Sequence, residues 1–440
     1  MIKRILSLVL IVAIMLSVCG CAVTTVDKMY QVPKRSQDFN DLQSAIDKSM
    51  VDLAYHAPLA GENRQNVQMA DLNGDGVEEY LLFAKSNKEK SLHILVFQEV
   101  DGSYVNVDTV QCNGAAFDQV EYVEMDNHGG VEIIVGHQLS DQLIRSATIY
   151  TYSDDGLTQM ASVNYTKFLT TDLDSDGLSE LFVLRPGETE TDNGAVEVYS
   201  MKSGTVERFN ESVMSAPAHN LKRLIVGKLD GGKTAVYVAS SVEDSSLITD
   251  VYTVIDNKLA NVTLSNESGT SMQTMRNYYI YADDIDADGV IELPSLISMR
   301  PMPGVTSTDM NHLIRWYAMT PSGAEVEKMC TYHNFVGGWY LQISKELAQR
   351  YVVVAQNNQT EIFIWDSSYS SIAKVMTIYT YTGQNREELG VSDNHFILHK
   401  TDSVVYAAKL EKSAEKYSIT QDSAVYSFRL IHQQWKTGET

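Results

Sequence analysis

Three short acidic stretches carry the residue types best suited to chemistry. Asp71, Asn73, Asp75, Gly76 and Glu79 form the first. Asp172, Asp174, Asp176, Gly177 and Glu180 form the second, and Asp284, Asp286, Asp288, Gly289 and Glu292 form the third. The shared order is Asp-x-Asn/Asp-x-Asp-Gly-x-x-Glu. Side chains at positions 1, 3 and 5 converge when the backbone curls, and glycine at position 6 permits the sharp turn. Val77, Leu178 and Val290 stand at position 7, where a main-chain carbonyl can join the shell. The glutamate at position 9 closes it. Such an all-oxygen set suits calcium, which takes about six to eight oxygens in loose geometry. Up to three calcium ions are expected, with a structural role. The plain alternative is an acidic turn held by side-chain to backbone hydrogen bonds without metal.

These are not EF-hand loops. An EF-hand has its closing glutamate at position 12 and runs into a helix. Position 12 here is Leu82, Val183 and Ser295, and apolar, strand-like residues follow each loop. Two further stretches are weaker. Glu124, Asp126 and Glu132 keep part of the pattern, with His128 and Gly129 at its centre. The stretch around Asp230-Gly231-Gly232 is shorter and poor in oxygen ligands.

The elements that must position the loops are strands. From residue 66 onward, short runs of Val, Ile, Tyr and Leu alternate with Gly, Asp, Asn and Ser turns. The chain also repeats. Loop starts fall near Asp71, Glu124, Asp172, Gly227, Asp284, Gln342 and residue 396. A unit of about four strands repeated in this way predicts an all-β, seven-bladed β-propeller over 66–440. Six or eight blades follow if one weak copy is misread. One four-stranded sheet cannot bury both faces alone, so neighbours must stack.

On these loops and strands the repeat resembles the FG-GAP or VCBS type, found in the integrin α-subunit propeller and in bacterial surface proteins. The resemblance spans nearly all of 66–436. It implies calcium at the three loops. Two departures stand: the Phe-Gly-Gly-Ala-Pro motif is absent, and position 9 is Glu rather than Asp.

The start of the chain reads as targeting sequence. Lys3 and Arg4 precede an apolar run from Ile5 to Val18, short of the ~20 residues of a membrane span. The run ends in Val18-Cys19-Gly20-Cys21, which looks like a bacterial lipobox with Cys21 as the lipidated residue. Residues 1–20 are then a signal peptide, 21–35 a lipidated tether, and 36–65 a lead-in helix and linker. Phe39, Leu42, Ile46, Met50 and Leu53 share one helical face in that segment. The expected location is extracytoplasmic, anchored by lipid to the bacterial membrane.

The net charge is −23. A nucleic-acid binder needs a basic face, and none is visible. Cys112 and Cys330 are expected as free buried thiols. His395 and His399 lie four apart without an evident third ligand. Trp316, Trp339, Trp365 and Trp435 all fall late in the chain, as core residues or as stacking platforms. No hydrolase, phosphate-loop or zinc-protease motif is present. The favoured reading is a binding or scaffolding module for a protein or glycan still to be identified. The alternative is an extracytoplasmic polysaccharide-acting enzyme, a hydrolase or lyase. Cys21→Ala is expected to release the protein from membranes into the soluble fraction; continued retention would point to another anchor.

Overall fold

A computed structural model describes residues 37–139, 145–243, 246–302, 312–356 and 358–431. The signal peptide, Cys21 and Trp435 lie outside the described residues. Among the described residues no helix is long and apolar enough to cross a membrane.

The chain is mostly β and builds six antiparallel sheets in sequence order. In the first, Leu53–Tyr55 and Val67–Ala70 lie end to end against Glu79–Ser86, followed by Leu92–Val100 and Ser103–Cys112. The linker expected over 36–65 therefore contributes a strand. The tight turn at Asp101-Gly102 has φ of 52° and 75°, the left-handed pair that a two-residue hairpin loop requires. The second sheet runs from Ala116–Val123 to Gly156–Tyr165, the third from Lys167–Thr171 to Thr205–Arg208, and the fourth from Leu221–Lys228 to Lys258–Asn261. The fifth holds Glu292–Ser298, His312–Met319, Glu325–Asn334 and Trp339–Ile343, with Phe428–Leu430 added at its edge.

The sixth sheet corrects the expected unit count. Tyr351–Gln356, Gln359–Trp365 and Ile372–Thr382 join Val404–Leu410 and Phe396–Lys400 in one five-stranded sheet. The last two strands had been read as a seventh unit. Trp339–Ile343, read as the opening of the sixth unit, instead pairs with Glu325–Asn334 in the fifth. Strand runs look alike in sequence, whereas sheet membership is decided by long-range pairing.

Alternation along each strand divides its side chains between two neighbours. In Glu79–Ser86, Leu81 and Phe83 pack with Phe117, Val120, Ile133 and Val135 of the second sheet. Leu82 and Ala84 point the other way, onto the helix Gln37–Ser49, through Leu42, Ala45 and Ile46. The same division recurs in Glu180–Arg185. Leu181 and Val183 meet the second sheet, and Phe182 and Leu184 meet the fourth. Tyr237 and Tyr317 join the fourth sheet to the fifth. Trp339 and Tyr351 join the fifth to the sixth.

Among the described residues no buried hydrophobic cluster joins the sixth sheet to the first. The first sheet is covered by its helix. The sixth sheet's far face carries the Glu361–Lys374 pair at 3.0 Å and the stacked rings of Tyr379 and His395, 4.5 Å apart.

Trp316 and Trp339 are buried core residues, 0% and 1% exposed. Trp339 packs on Phe428 with ring centroids 5.3 Å apart. Trp339→Ala is expected to lower unfolding free energy by about 3–5 kcal/mol, read from urea denaturation midpoints.

Candidate metal loops

Each acidic loop is wired by its own backbone. Asp71 accepts N–H bonds from Gly74 and Gly76 at 2.8 and 2.9 Å. Asp172 accepts from Ser175 and Gly177 at 2.7 and 3.1 Å. Asp284 accepts from Asp288 and Gly289 at 3.0 and 2.9 Å. Asn73, Asp174 and Asp286 each accept the N–H at position 5. Asp75, Asp176 and Asp288 accept the N–H of Val77, Leu178 and Val290 at 2.7–2.9 Å. Gly76, Gly177 and Gly289 all have φ between 84° and 94°. A side chain there would meet no neighbour, but the left-handed backbone itself favours glycine.

The position-9 glutamates open the next strand and turn back into the loop. Glu79, Glu180 and Glu292 are at most 2% exposed. Their Oε2 atoms accept the N–H of Leu72, Leu173 and Ile285 at 2.8, 2.8 and 3.1 Å. Burial pushes the Glu180 carboxyl up to about 7 and the Glu292 carboxyl up to about 8, with the nearby aspartates adding to the rise. Carboxylate oxygens of Asp172, Asp174 and Glu180 lie within 4.8 Å of one another, as do those of Asp284, Asp286 and Glu292. These two acidic clusters could bind a metal ion. The position-5 aspartates are not part of either tight cluster.

The three loops are not equivalent. In the first, the Asn73 amide nitrogen faces Asp75 and Glu79, 3.3 Å from each. Gln98 donates a further bond to Glu79 at 3.0 Å. Neutral donors thus occupy the centre of that loop. In the third, Lys328 lies 3.1 Å from Asp288 and 3.4 Å from Asp230, tying two loops together. The loop at 172–180 makes no ion pair with a basic side chain among the described residues.

The loop at 124–132 forms no tight acidic cluster among the described residues, but it shares the backbone wiring of the other three. Glu132 keeps the turn-back bond, accepting the Met125 N–H at 2.8 Å, and Asp126 accepts the His128 N–H at 3.0 Å. The His128 ring Nδ1 lies 2.8 Å from Asp126. The loops also touch one another. Val131 N–H donates to the Asp71 carbonyl at 3.2 Å, Ser179 to Glu124 at 2.8 Å, and Ile291 to Lys228 at 3.0 Å. In each pair position 8 of one loop meets position 1 of the loop before. This sets the start of the fourth loop at Lys228, one residue after Gly227. A Cβ on Gly130 would sit 2.2 Å from the Leu72 carbonyl oxygen, so the glycine is what lets the first two loops meet. The pairing could have been found by aligning the buried position-2 residues Leu72, Met125, Leu173, Leu229 and Ile285.

The remaining candidates fall outside this rim. Cys112 and Cys330 are free and buried. His395 stacks on Tyr379, and His399 is exposed in the strand Phe396–Lys400. Away from the metal loops, the first strands of the second, third and fourth sheets converge on a cavity of about 690 Å³. Glu62, Glu121, Lys167 and Lys222 line it.

No protein-family profile matches the chain, and no curated protein matches it. Among solved structures, the exotype rhamnogalacturonan lyase YesX is similar at 12% identity, over 74% of this chain and 68% of that one, with a TM-score of 0.30. A Bacillus licheniformis rhamnogalacturonan lyase gives 13% identity, 74% and 72% coverage and a TM-score of 0.31. The rhamnogalacturonan lyase YesW gives 12%, 73% and 83%, with a TM-score of 0.32. TM-scores this low establish neither a shared topology nor a shared activity.

The Glu132 carboxyl is pushed up to about 7, first by burial. In the fold it keeps its proton at pH values where the unfolded chain has released it. Its contribution to stability is therefore whole below its ordinary value of 4.5 and is lost as pH rises through about 7. Glu132→Gln is expected to flatten that decline in a series of urea melts between these values. An unchanged slope would show that the carboxyl is ionised throughout.

Proposed function

We propose that the protein is a lipid-anchored, extracytoplasmic binding module of β-propeller type, stiffened by calcium at the 172–180 and 284–292 loops. The observation that carries the calcium reading is Glu292. This residue is 0% exposed, and its Oε1 has no hydrogen-bond partner among the described residues. Its carboxylate belongs to the cluster with Asp284 and Asp286. A buried oxygen left without a donor is costly, and a divalent cation bonded to it removes that cost. The donors are all oxygen, which fits calcium better than the softer transition metals. The propeller reading is supported by consecutive sheets packing face to face and by first strands converging on one cavity. The 71–79 loop fits a cation less well, because the Asn73 amide nitrogen must first turn away.

At each loop the ion would tie the curled segment to the strand that follows, so its effect is read as stability. With a dissociation constant of about 0.1–1 mM, as in extracellular modules, ~10 mM calcium adds about 1.4–2.7 kcal/mol per site. The full chain in detergent is expected to melt higher in calcium than in chelator. Glu292→Gln should remove part of that difference, and Asp174→Asn another part. No change in melting, with no metal retained in native mass spectrometry, would sink the calcium reading.

One observation favours a second reading, that of a polysaccharide-acting enzyme. Glu62 and Glu121 both line the cavity between the first strands, and the Glu121 carboxyl is raised by burial and by Glu62. A carboxyl pair in which burial raises one member is suited to acid–base chemistry on a glycan. Polysaccharide cleavage abolished by Glu121→Gln would favour the enzyme over the binding module.

A further inference from the structure

We propose that a groove at the edge of the fifth sheet binds acidic polysaccharide, with Tyr426 as the stacking platform and Arg429 as the partner of a uronate carboxylate. This rests on the binding-module reading and gives that module a site and a ligand class. Two adjoining cavities of about 610 and 340 Å³ share Met329, Gln342 and Tyr426. Asp283, Asp284 and Asp286 line one end of the combined groove; at the other, Lys328 is paired with Asp230 and Asp288 and Lys345 with Glu327, which leaves Arg429 as the groove cation without an ion pair among the described residues.

The end of the chain builds the groove. Helix Gln421–Ser427 starts with a capping box in which Thr420 and Ser423 bond each other's backbone. Strand Phe428–Leu430 then pairs with Trp339–Leu341. Phe428, 3% exposed, anchors this return against Trp339 and Tyr406. The anchor holds its neighbours outward. Tyr426 is 72% exposed and lies in both cavities, so its ring is open to a ligand in the groove. Its phenol ring offers the apolar face that the C–H side of a pyranose covers.

Arg429 lies over the Tyr426 ring, 5.4 Å from its centre, and donates one Nη1 bond to the Phe428 carbonyl at 2.8 Å. It forms no ion pair among the described residues, in a chain with 57 acidic and 34 basic residues. An exposed guanidinium with open donors on an acidic protein is a ready fork for a carboxylate. Among the described residues the Gln342 amide nitrogen has only the Met329 sulfur, at 3.8 Å, as partner, so it can serve a sugar hydroxyl. A ring face, a carboxylate and several hydroxyls together describe a uronic-acid unit. An acidic peptide would use the arginine but has no ring for the tyrosine.

The test titrates the full chain in detergent with oligogalacturonate and hyaluronate oligosaccharides, with dextran and polyglutamate beside them, by calorimetry in calcium and in chelator. Binding of at least one uronate oligosaccharide, none of dextran, and tenfold or greater weakening in both Tyr426→Ala and Arg429→Gln is the expected result. Arg429→Lys should recover little, because an ammonium lacks the fork. Uronate binding unchanged by both variants overturns the groove and leaves the binding module standing. Absence of uronate binding, or polyglutamate binding of equal strength, overturns the ligand class. The calcium-dependent melting shift, measured on the same variants, reports the metal loops separately.

Discussion

A buried glutamate bonded back to the amide two residues into its own loop is the contact on which the rim depends. It recurs at Glu79, Glu132, Glu180 and Glu292. The bond closes the curl, fixes where the next strand begins, and thereby sets which side chains of that strand face each neighbouring sheet. It also places a carboxylate where water cannot reach it. Everything else in these loops answers that burden. The first loop offers the amides of Asn73 and Gln98, and the 124–132 loop an imidazole beside Asp126. The 284–292 loop has a lysine on its outer aspartate. Only the loop at 172–180 meets no side-chain cation or amide of this kind within hydrogen-bond distance among the described residues.

Much of this was legible in the sequence because it is local. The acidic loops, their glycines and the strand after each follow from spacing within nine residues. The lead-in helix Gln37–Ser49 carries the expected face through Leu42 and Ile46, both buried, whereas Phe39 stays exposed, Met50 lies past its end and Leu53 belongs to a strand. What the sequence did not disclose is pairing at a distance. Val404–Leu410 bonds to Ile372–Thr382, not to a new sheet, and Trp339–Ile343 belongs with the strand before it. Neither choice leaves a mark in alternation, since both arrangements bury the same side chains. The kinship of the 124–132 loop with the other three was hidden for a related reason. Its wiring uses main-chain donors, which any residue supplies, while a sequence pattern shows side chains alone. Tyr426 and Arg429 carry no motif at all, and their exposure follows only from where Phe428 is anchored.

The sheets are held by one device repeated: odd and even residues of a strand serve different neighbours. An apolar face left uncovered at the first or the last sheet is an aggregation hazard. The helix Gln37–Ser49 resolves this at the first sheet. At the sixth, an ion pair and stacked polar rings lie on the outer face.

The strand Phe428–Leu430 has a consequence for synthesis. It is the partner of Trp339–Leu341, which was made some ninety residues earlier. Until the ribosome releases the last segment, that edge of the fifth sheet shows unsatisfied amides and carbonyls. The Trp339 ring likewise lacks its cover. A chain that stops a few residues before 430 therefore keeps an adhesive edge that Phe428–Leu430 otherwise covers.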